Sequence, residues 1–243
     1  MAGHSKWSNI KRRKEAVDDK RGKVFSKLGR ELLQAVRSGG PDPETNAVLR
    51  DVIAKAKSYN MPNDSIRRSI ERASGEGGGA ILDEILYEGY GPGGVAVMVR
   101  ALTDNRNRTA GEVRHLFSKY GGNLGQDGSV AFQFERKGSL VIERQPDLDE
   151  DQIFMDALEA GAEDVDLDDE NIIAITTAPD DYGAVRDALA DKYRFVDQGL
   201  GYQPSSTISL SSQEDRDKME TMIDKLEDND DVQEIYHNWE EEA

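Results

Sequence analysis

A glycine-rich break, Gly75-Glu76-Gly77-Gly78-Gly79, divides the chain into two regimes of hydrophobic spacing. Upstream, apolar residues recur every three or four positions, the period of an amphipathic helix; downstream they come in short runs with strand-like spacing. The break has the composition of a flexible linker, so a domain boundary is placed there. The upstream segment must fold as helices, and the downstream segment must build sheets.

Three helices are predicted before the break. Phe25, Leu28, Leu32 and Ala35/Val36 share one face of the first, which Gly22 weakens and Gly39-Gly40-Pro41 stops. The second is expected to start at Asp42 as N-cap with Pro43 in its first turn, and to bury Leu49, Val52, Ile53 and Ala56. After the turn at Met61-Pro62, Ile66, Ile70 and Ala73 mark the third.

Beyond the break, strands are expected at Ile85–Glu88 and Val95–Val99, separated by the loop chemistry of residues 89–94. A helix with a capping box at Thr109–Glu112 and a core face of Val113, Leu116, Phe117 and Tyr120 comes next. Val130, Phe132 and Phe134 then alternate as a strand, with both phenylalanines expected in the core. Residues 140–142, 149–160, 163–167, 171–176, 181–192 and 193–196 read β-α-β-β-α-β, the ferredoxin-like order. In its first helix Ile153, Phe154, Ala157 and Leu158 are expected to face inward, and in its second Val185 and Leu189. A last β-α-β comes after these: Thr207–Leu210, a helix carrying Met219, Met222, Ile223 and Leu226, and Val232–Tyr236. Nesting is the economical assembly, because the β-α-β units on either side of 135–205 complete each other. The expected fold is therefore α+β: an N-terminal three-helix domain (1–76) followed by two ferredoxin-like α/β domains. One of these is discontinuous (80–134 plus 206–243), and the other (135–205) is inserted in it.

Charge is partitioned just as sharply. The first thirty residues hold ten basic and three acidic side chains, about +7, in a chain whose net charge is −17. Residues 135–243 carry about −23. An acidic chain with one dense basic arm points to a polyanionic partner at that arm. Lys6, Lys11, Arg12, Arg13, Lys14, Lys20, Arg21, Lys23 and Lys27 supply cations, and Trp7 adds a stacking surface. The alternative is a solvated, salt-bridged helix face. A second candidate, Asp104 to Thr109, lies between a strand end and a helix N-terminus. There Arg106 and Arg108 either fork onto phosphate oxygens or pair with Asp104 and Glu112 to shape the loop.

Other chemistry finds little support. The chain has no cysteine, hence no disulfide or thiolate site, and His4, His115 and His237 lack ligand spacing. No phosphate loop, nucleophile elbow or dinucleotide fingerprint is present, so neither an enzyme nor a bound cofactor or metal is expected. No apolar run reaches the length of a membrane span, and no secretory signal is evident. A cytoplasmic location and a monomer are expected.

Several motifs together closely resemble the YebC/PmpR family. They are Ala2-Gly3-His4-Ser5-Lys6-Trp7, the stretch from Lys20 to Lys27, Tyr87-Glu88-Gly89-Tyr90-Gly91-Pro92-Gly93-Gly94, Asp104 to Thr109, and Gly121-Gly122-Asn123-Leu124-Gly125. The match runs to about Glu135, and beyond that it rests on length and element order. The resemblance implies a three-domain protein whose contact surface includes His4 with the rest of the AGHSKW segment and the basic helix. It also implies a nucleic-acid-binding regulator of gene expression. Members were first described as DNA-binding transcriptional regulators. Others have been tied to translation, where they act on the ribosome to relieve stalls at proline-rich stretches. The expected partner is ribosomal RNA, double-stranded DNA, or both.

Overall fold

The structure, a computed structural model, describes residues 22–75 and 81–240. Residues 22–39 are helical (α1) and bury Leu28, Leu32, Ala35 and Val36, the face anticipated from their spacing. Gly40, with φ of 88°, closes the helix by donating its N–H to the Val36 carbonyl, a left-handed turn that favours glycine. Helices α2 (Ala47–Ser58) and α3 (Asn63–Ser74) pack their Leu49, Ala56, Ile66 and Ala73 against it. A fully buried leucine contributes about 2 kcal/mol, and Leu32 and Leu49 are both completely covered.

The cap of α2 differs from expectation. Asp42 folds a turn, accepting the Glu44 N–H at 3.0 Å, and Asn46 caps the helix instead. Its Oδ1 accepts the Leu49 N–H, while its Nδ2 donates to the carbonyls of Ala35 and Gly40, both at 2.8 Å. A carboxylate could supply the acceptor but not the donors, so an amide is what can tie the end of α1 to the start of α2.

Downstream, strands β1 (Asp83–Tyr90) and β2 (Ala96–Thr103) form an antiparallel hairpin. The turn between them needs glycine: Gly93 has φ of 64°, and a Cβ there would fall 2.2 Å from Leu210 Cδ2. Next come α4 (Arg106–Lys119), the two-residue β3 (Asn123–Leu124) and β4 (Phe134–Glu143). They are succeeded by α5 (Glu150–Ala160), β5 (Asp164–Asp166) and β6 (Ile172–Thr177). The remaining elements are α6 (Tyr182–Ala190), β7 (Phe195–Pro204), α7 (Gln213–Glu227) and β8 (Val232–His237).

The elements make two four-stranded sheets, β3-β1-β2-β8 and β5-β6-β4-β7. The second is the ferredoxin-like order expected of β4-α5-β5-β6-α6-β7, with α5 and α6 packed over Leu140, Ile142, Ile173 and Ile175. In the first, α4 and α7 cover Val97, Val99, Val232 and Ile235. The protein is thus α+β, a helical N-terminal part followed by α/β parts. Two compact units are seen: 1–79 with 136–201, and 80–135 with 202–243.

Three local expectations are corrected. Residues 131–133 form a 3₁₀ turn rather than a strand, and Phe132 is 75% exposed while Phe134 is buried. Among the described residues Thr207–Leu210 makes a single parallel bridge, Ile208 to Trp239. The second central position of that sheet goes to β1, which reaches β2 through a short turn and so closes its loop at little entropic cost. On α5 the inward residues are Ile153, Asp156 and Ala157. Phe154 and Leu158, about one hundred degrees further round the helix, are 38% and 42% exposed.

Because Asn46 holds three partners at once, Asn46→Ala is expected to cost about 2 kcal/mol in urea unfolding. Asn46→Asp, which keeps the cap but loses both donors, should be destabilised as well.

Candidate nucleic-acid interface

His4, Lys6, Trp7, Lys11, Arg12, Arg13, Lys14, Lys20 and Arg21 lie outside the described residues. Lys23 and Lys27 lie on α1. Together with Arg30 and Arg37 they recur at intervals of four, three and seven, which puts all four on the side opposite Leu28 and Leu32. Glu31 is the one acid in residues 22–39, and it is turned inward, 7% exposed, to meet Lys55 Nζ at 3.1 Å. The outer side of α1 therefore carries cations without an intervening carboxylate of its own.

The loop after β2 separates the two arginines it was expected to use together. The N-cap of α4 is Asn105, whose side chain accepts the Arg108 N–H, and not Thr109. Thr109 is buried in the first turn and donates its hydroxyl to Asp231 at 2.7 Å. Arg108 reaches Asp231 at 2.7 Å and Asp104 at 2.9 Å, and these hydrogen-bonded carboxylates raise its pKa further. Arg108 is thus a loop-shaping residue, with Asp231 in the place expected of Glu112; Glu112 instead accepts from Asn229 Nδ2 at 2.7 Å. Arg106 is exposed and has no ion pair among the described residues. Its charge is felt by the Tyr87 hydroxyl, which is buried without a hydrogen-bond partner among the described residues; burial pushes the Tyr87 pKa up, and the charge of Arg106 pulls the other way.

Two features were missed by sequence reasoning. The first is the loop that displays Phe132. Buried Glu88 accepts three backbone N–H groups, from Gly128 (2.8 Å), Val130 (2.9 Å) and Ala131 (2.8 Å). Burial alone would raise its pKa, but the three hydrogen bonds outweigh that and hold it below the ordinary value. Tyr90 adds a bond from its hydroxyl to the Ser129 carbonyl at 3.3 Å. A single Glu in a strand gives no hint of this, because its partners lie forty residues away.

The second is a cleft of about 680 Å³ within the first unit, lined by Arg50, Lys57, Lys192, Tyr193, Arg194 and Gln198 among others. At its edge Arg186, 4% exposed, pairs with Asp51 and Asp187. Tyr193 donates to Asp156 at 2.7 Å; burial first, then that carboxylate, raises its pKa to about 12.

An α+β protein that leads with a cation-faced helix and continues with acidic α/β parts is the class defined by this fold and these surfaces. The profile described as "TACO1/YebC protein N-terminal domain" matches residues 5–76, and "TACO1/YebC second and third domain" matches residues 82–239. The chain belongs to the TACO1/YebC family. It is 55% identical over 243 residues to a "Probable transcriptional regulatory protein" of Finegoldia magna, covering 100% of both chains. It is 53% identical to a relative of the same description from Acetivibrio thermocellus, covering 98% of this chain and 99% of the other. Among solved structures it is similar to the conserved hypothetical protein Aq1575 from Aquifex aeolicus. That match has a TM-score of 0.85 at 44% identity and covers 93% of each chain.

The two arginines should part company on mutation. Arg108→Ala is expected to lower the melting temperature, because it leaves Asp231 without its cation. Arg106→Ala should leave melting unchanged and weaken nucleic-acid binding in a filter or polarisation assay. Glu88 yields a pH prediction. With its folded pKa depressed, its stabilisation is complete above about 4.5 and is lost as pH falls through the lower folded value. Glu88→Gln should cost about 1–3 kcal/mol at neutral pH and flatten the acid limb of the stability profile measured by denaturant titration.

Proposed function

We propose that the protein is a nucleic-acid-binding regulator of gene expression that acts in the cytoplasm on the ribosome, relieving stalls at proline-rich nascent sequences. The observation that carries this reading is the outer face of α1, where Lys23, Lys27, Arg30 and Arg37 extend the basic charge of residues 1–21 into an ordered helix. Phosphate neutralisation by such a face gives affinity without sequence preference, which suits structured RNA. The −23 of residues 135–243 is repelled by surrounding phosphate, so the front of the chain is the end that enters an RNA-rich environment. No side chain need perform chemistry: holding reacting groups in place is itself a rate effect. On this reading the protein is not an enzyme, and His4, Lys6, Trp7, Lys11 to Lys14, Lys20, Arg21, Lys23, Lys27 and Arg106 are the contacts.

A second reading, a DNA-binding transcriptional regulator, is favoured by the descriptions of the Finegoldia and Acetivibrio relatives.

The test uses charge substitution rather than truncation, because removing residues 1–30 would also take Leu28 out of the helical core. Intact protein should co-sediment with ribosomes at low salt, with a log–log salt slope of about −4 if about five phosphates are neutralised. Replacing Lys11, Arg12, Arg13 and Lys14 with glutamine should abolish co-sedimentation. Cells lacking the protein should show ribosome pausing at proline runs with messenger levels unchanged. Unaltered pausing, with tight binding to a discrete set of promoters, would favour the transcriptional reading instead.

A further inference from the structure

The cleft of the first unit has one wall from α2 and another from the end of α6 and the start of β7. On α2 the lining residues are Arg50, Ile53, Ala54, Lys57 and Ser58, the three- and four-residue spacing of a single helix face. Arg50 and Lys57 are seven residues apart, about 10.5 Å along the axis and only about 20° around it, so both stand near the middle of that face. Both are exposed, and neither forms an ion pair among the described residues. Asp51, the one acid of α2, lies about 20° beyond Ser58. It is taken by the guanidinium of Arg186, and the charge of Arg50 is felt there too.

The opposite wall belongs to the acidic part of the chain, yet it brings three more cations. Arg186 is spent on Asp51 and Asp187, and Lys192 meets Asp156 at 3.0 Å. Arg194 is exposed, lies 3.4 Å from Asn60 Oδ1, and has no ion pair among the described residues. Of the two carboxylates in the lining, Asp187 is held by Arg186, which leaves Asp191. The balance among the described residues is three cations without a carboxylate against one carboxylate without a cation.

Gln198 supplies an independent observation. It lines the same cleft at 7% exposure, and its Nε2 donates to the Ala54 carbonyl at 3.1 Å. That bond orients the amide and leaves Oε1 buried without a hydrogen-bond partner among the described residues. A buried acceptor left unmet is costly, and calls for a donor from outside the chain. The lining also holds Tyr193, whose hydroxyl is fixed by Asp156, and the apolar Ile53 and Phe195. A bare anion would use the cations and ignore the rest. An apolar ligand would leave both the cations and the amide unmet.

We propose that this cleft is a binding site for a nucleoside monophosphate unit. Arg50, Lys57 and Arg194 receive the phosphate, the base lies against Tyr193 and Ile53, and a base amine or ribose hydroxyl donates to Gln198 Oε1. The long side chains of Arg50 and Lys57 can converge on one phosphate across the span between them. A volume of about 680 Å³ is within the range of small-molecule sites. The unit is either a free nucleotide or an unpaired residue of an RNA strand, since both bring the same groups. The site is separate from the α1 surface and does not depend on the ribosomal reading.

The test uses the full chain. Nucleoside 5′-monophosphates and inorganic phosphate are titrated by calorimetry, and a fluorescein-labelled unstructured RNA hexamer by polarisation. Nucleotides should bind, and inorganic phosphate should bind far more weakly. Arg50→Gln with Lys57→Gln should weaken nucleotide binding by about tenfold or more, the loss expected with a charge-assisted hydrogen bond, and should leave melting nearly unchanged. Arg68→Gln with Arg72→Gln, the same charge change on exposed residues of α3, should leave affinity at the wild-type value. Gln198→Leu should weaken binding while the melting temperature stays level or rises, a combination that a purely structural role would not produce. Binding of the hexamer alone would identify the unit as part of an RNA strand, and binding of free monophosphates as a nucleotide. The proposal is overturned if neither binds, if inorganic phosphate binds as tightly as the nucleotides, or if the α2 double variant behaves like the α3 control. Loss of wild-type co-sedimentation with ribosomes, with nucleotide binding intact, would overturn the proposed function and leave this site standing.

Discussion

One buried carboxylate joins the two separated stretches of the second unit. Asp231, 3% exposed, receives the hydroxyl of Thr109 and the guanidinium of Arg108 from the first turn of α4, and lies 3.2 Å from the Thr103 hydroxyl at the end of β2. Its own carbonyl accepts the Leu102 N–H. These partners precede it by 122 to 129 residues, with the whole inserted segment between. A charge taken out of water is costly unless it is paired and fully hydrogen-bonded. The network therefore favours one register of β8 on β2 and one entry angle for α4. Arg106, at the start of α4, inherits its direction from this anchor.

Much of the fold was legible in the sequence because it rests on local periodicity. The spacing of Leu28, Leu32, Ala35 and Val36 identified the buried side of α1. The element order from residue 135 onward gave a ferredoxin-like sheet whose strand order is dictated by connection rules. What escaped detection depended on partners distant in the chain. Asp42 and Thr109 both satisfy the local pattern of an N-cap, yet Asn46 and Asn105 hold those places. Asn46 can also donate across to α1, and Thr109 is drawn inward by Asp231. The alternation Val130-Phe132-Phe134 imitates a strand, but Glu88 draws the N–H groups of Gly128, Val130 and Ala131 to itself and leaves no ladder for them to join.

The candidate site was legible as charge and less so as geometry. Composition identified the basic front of the chain, and α1 supports it by turning its only acid inward. Composition could not separate Arg106 from Arg108, which differ by two residues in sequence and entirely in employment.

The order of the strands along the chain has a consequence for how the protein is made. β2 is central in its sheet, yet one neighbour, β8, is made only after the whole of the β4–β7 sheet and α7. During synthesis the helical part and the β4–β7 sheet have all their residues well before then. The long edge of β2 waits unpaired, together with the apolar face that α7 will cover, until α7 and β8 have been made. Domains form in the order in which they emerge, and an exposed edge is where a nascent chain is open to mispairing. The second unit therefore matures after the first. A chain truncated before α7 would lose that unit while keeping the elements of the first.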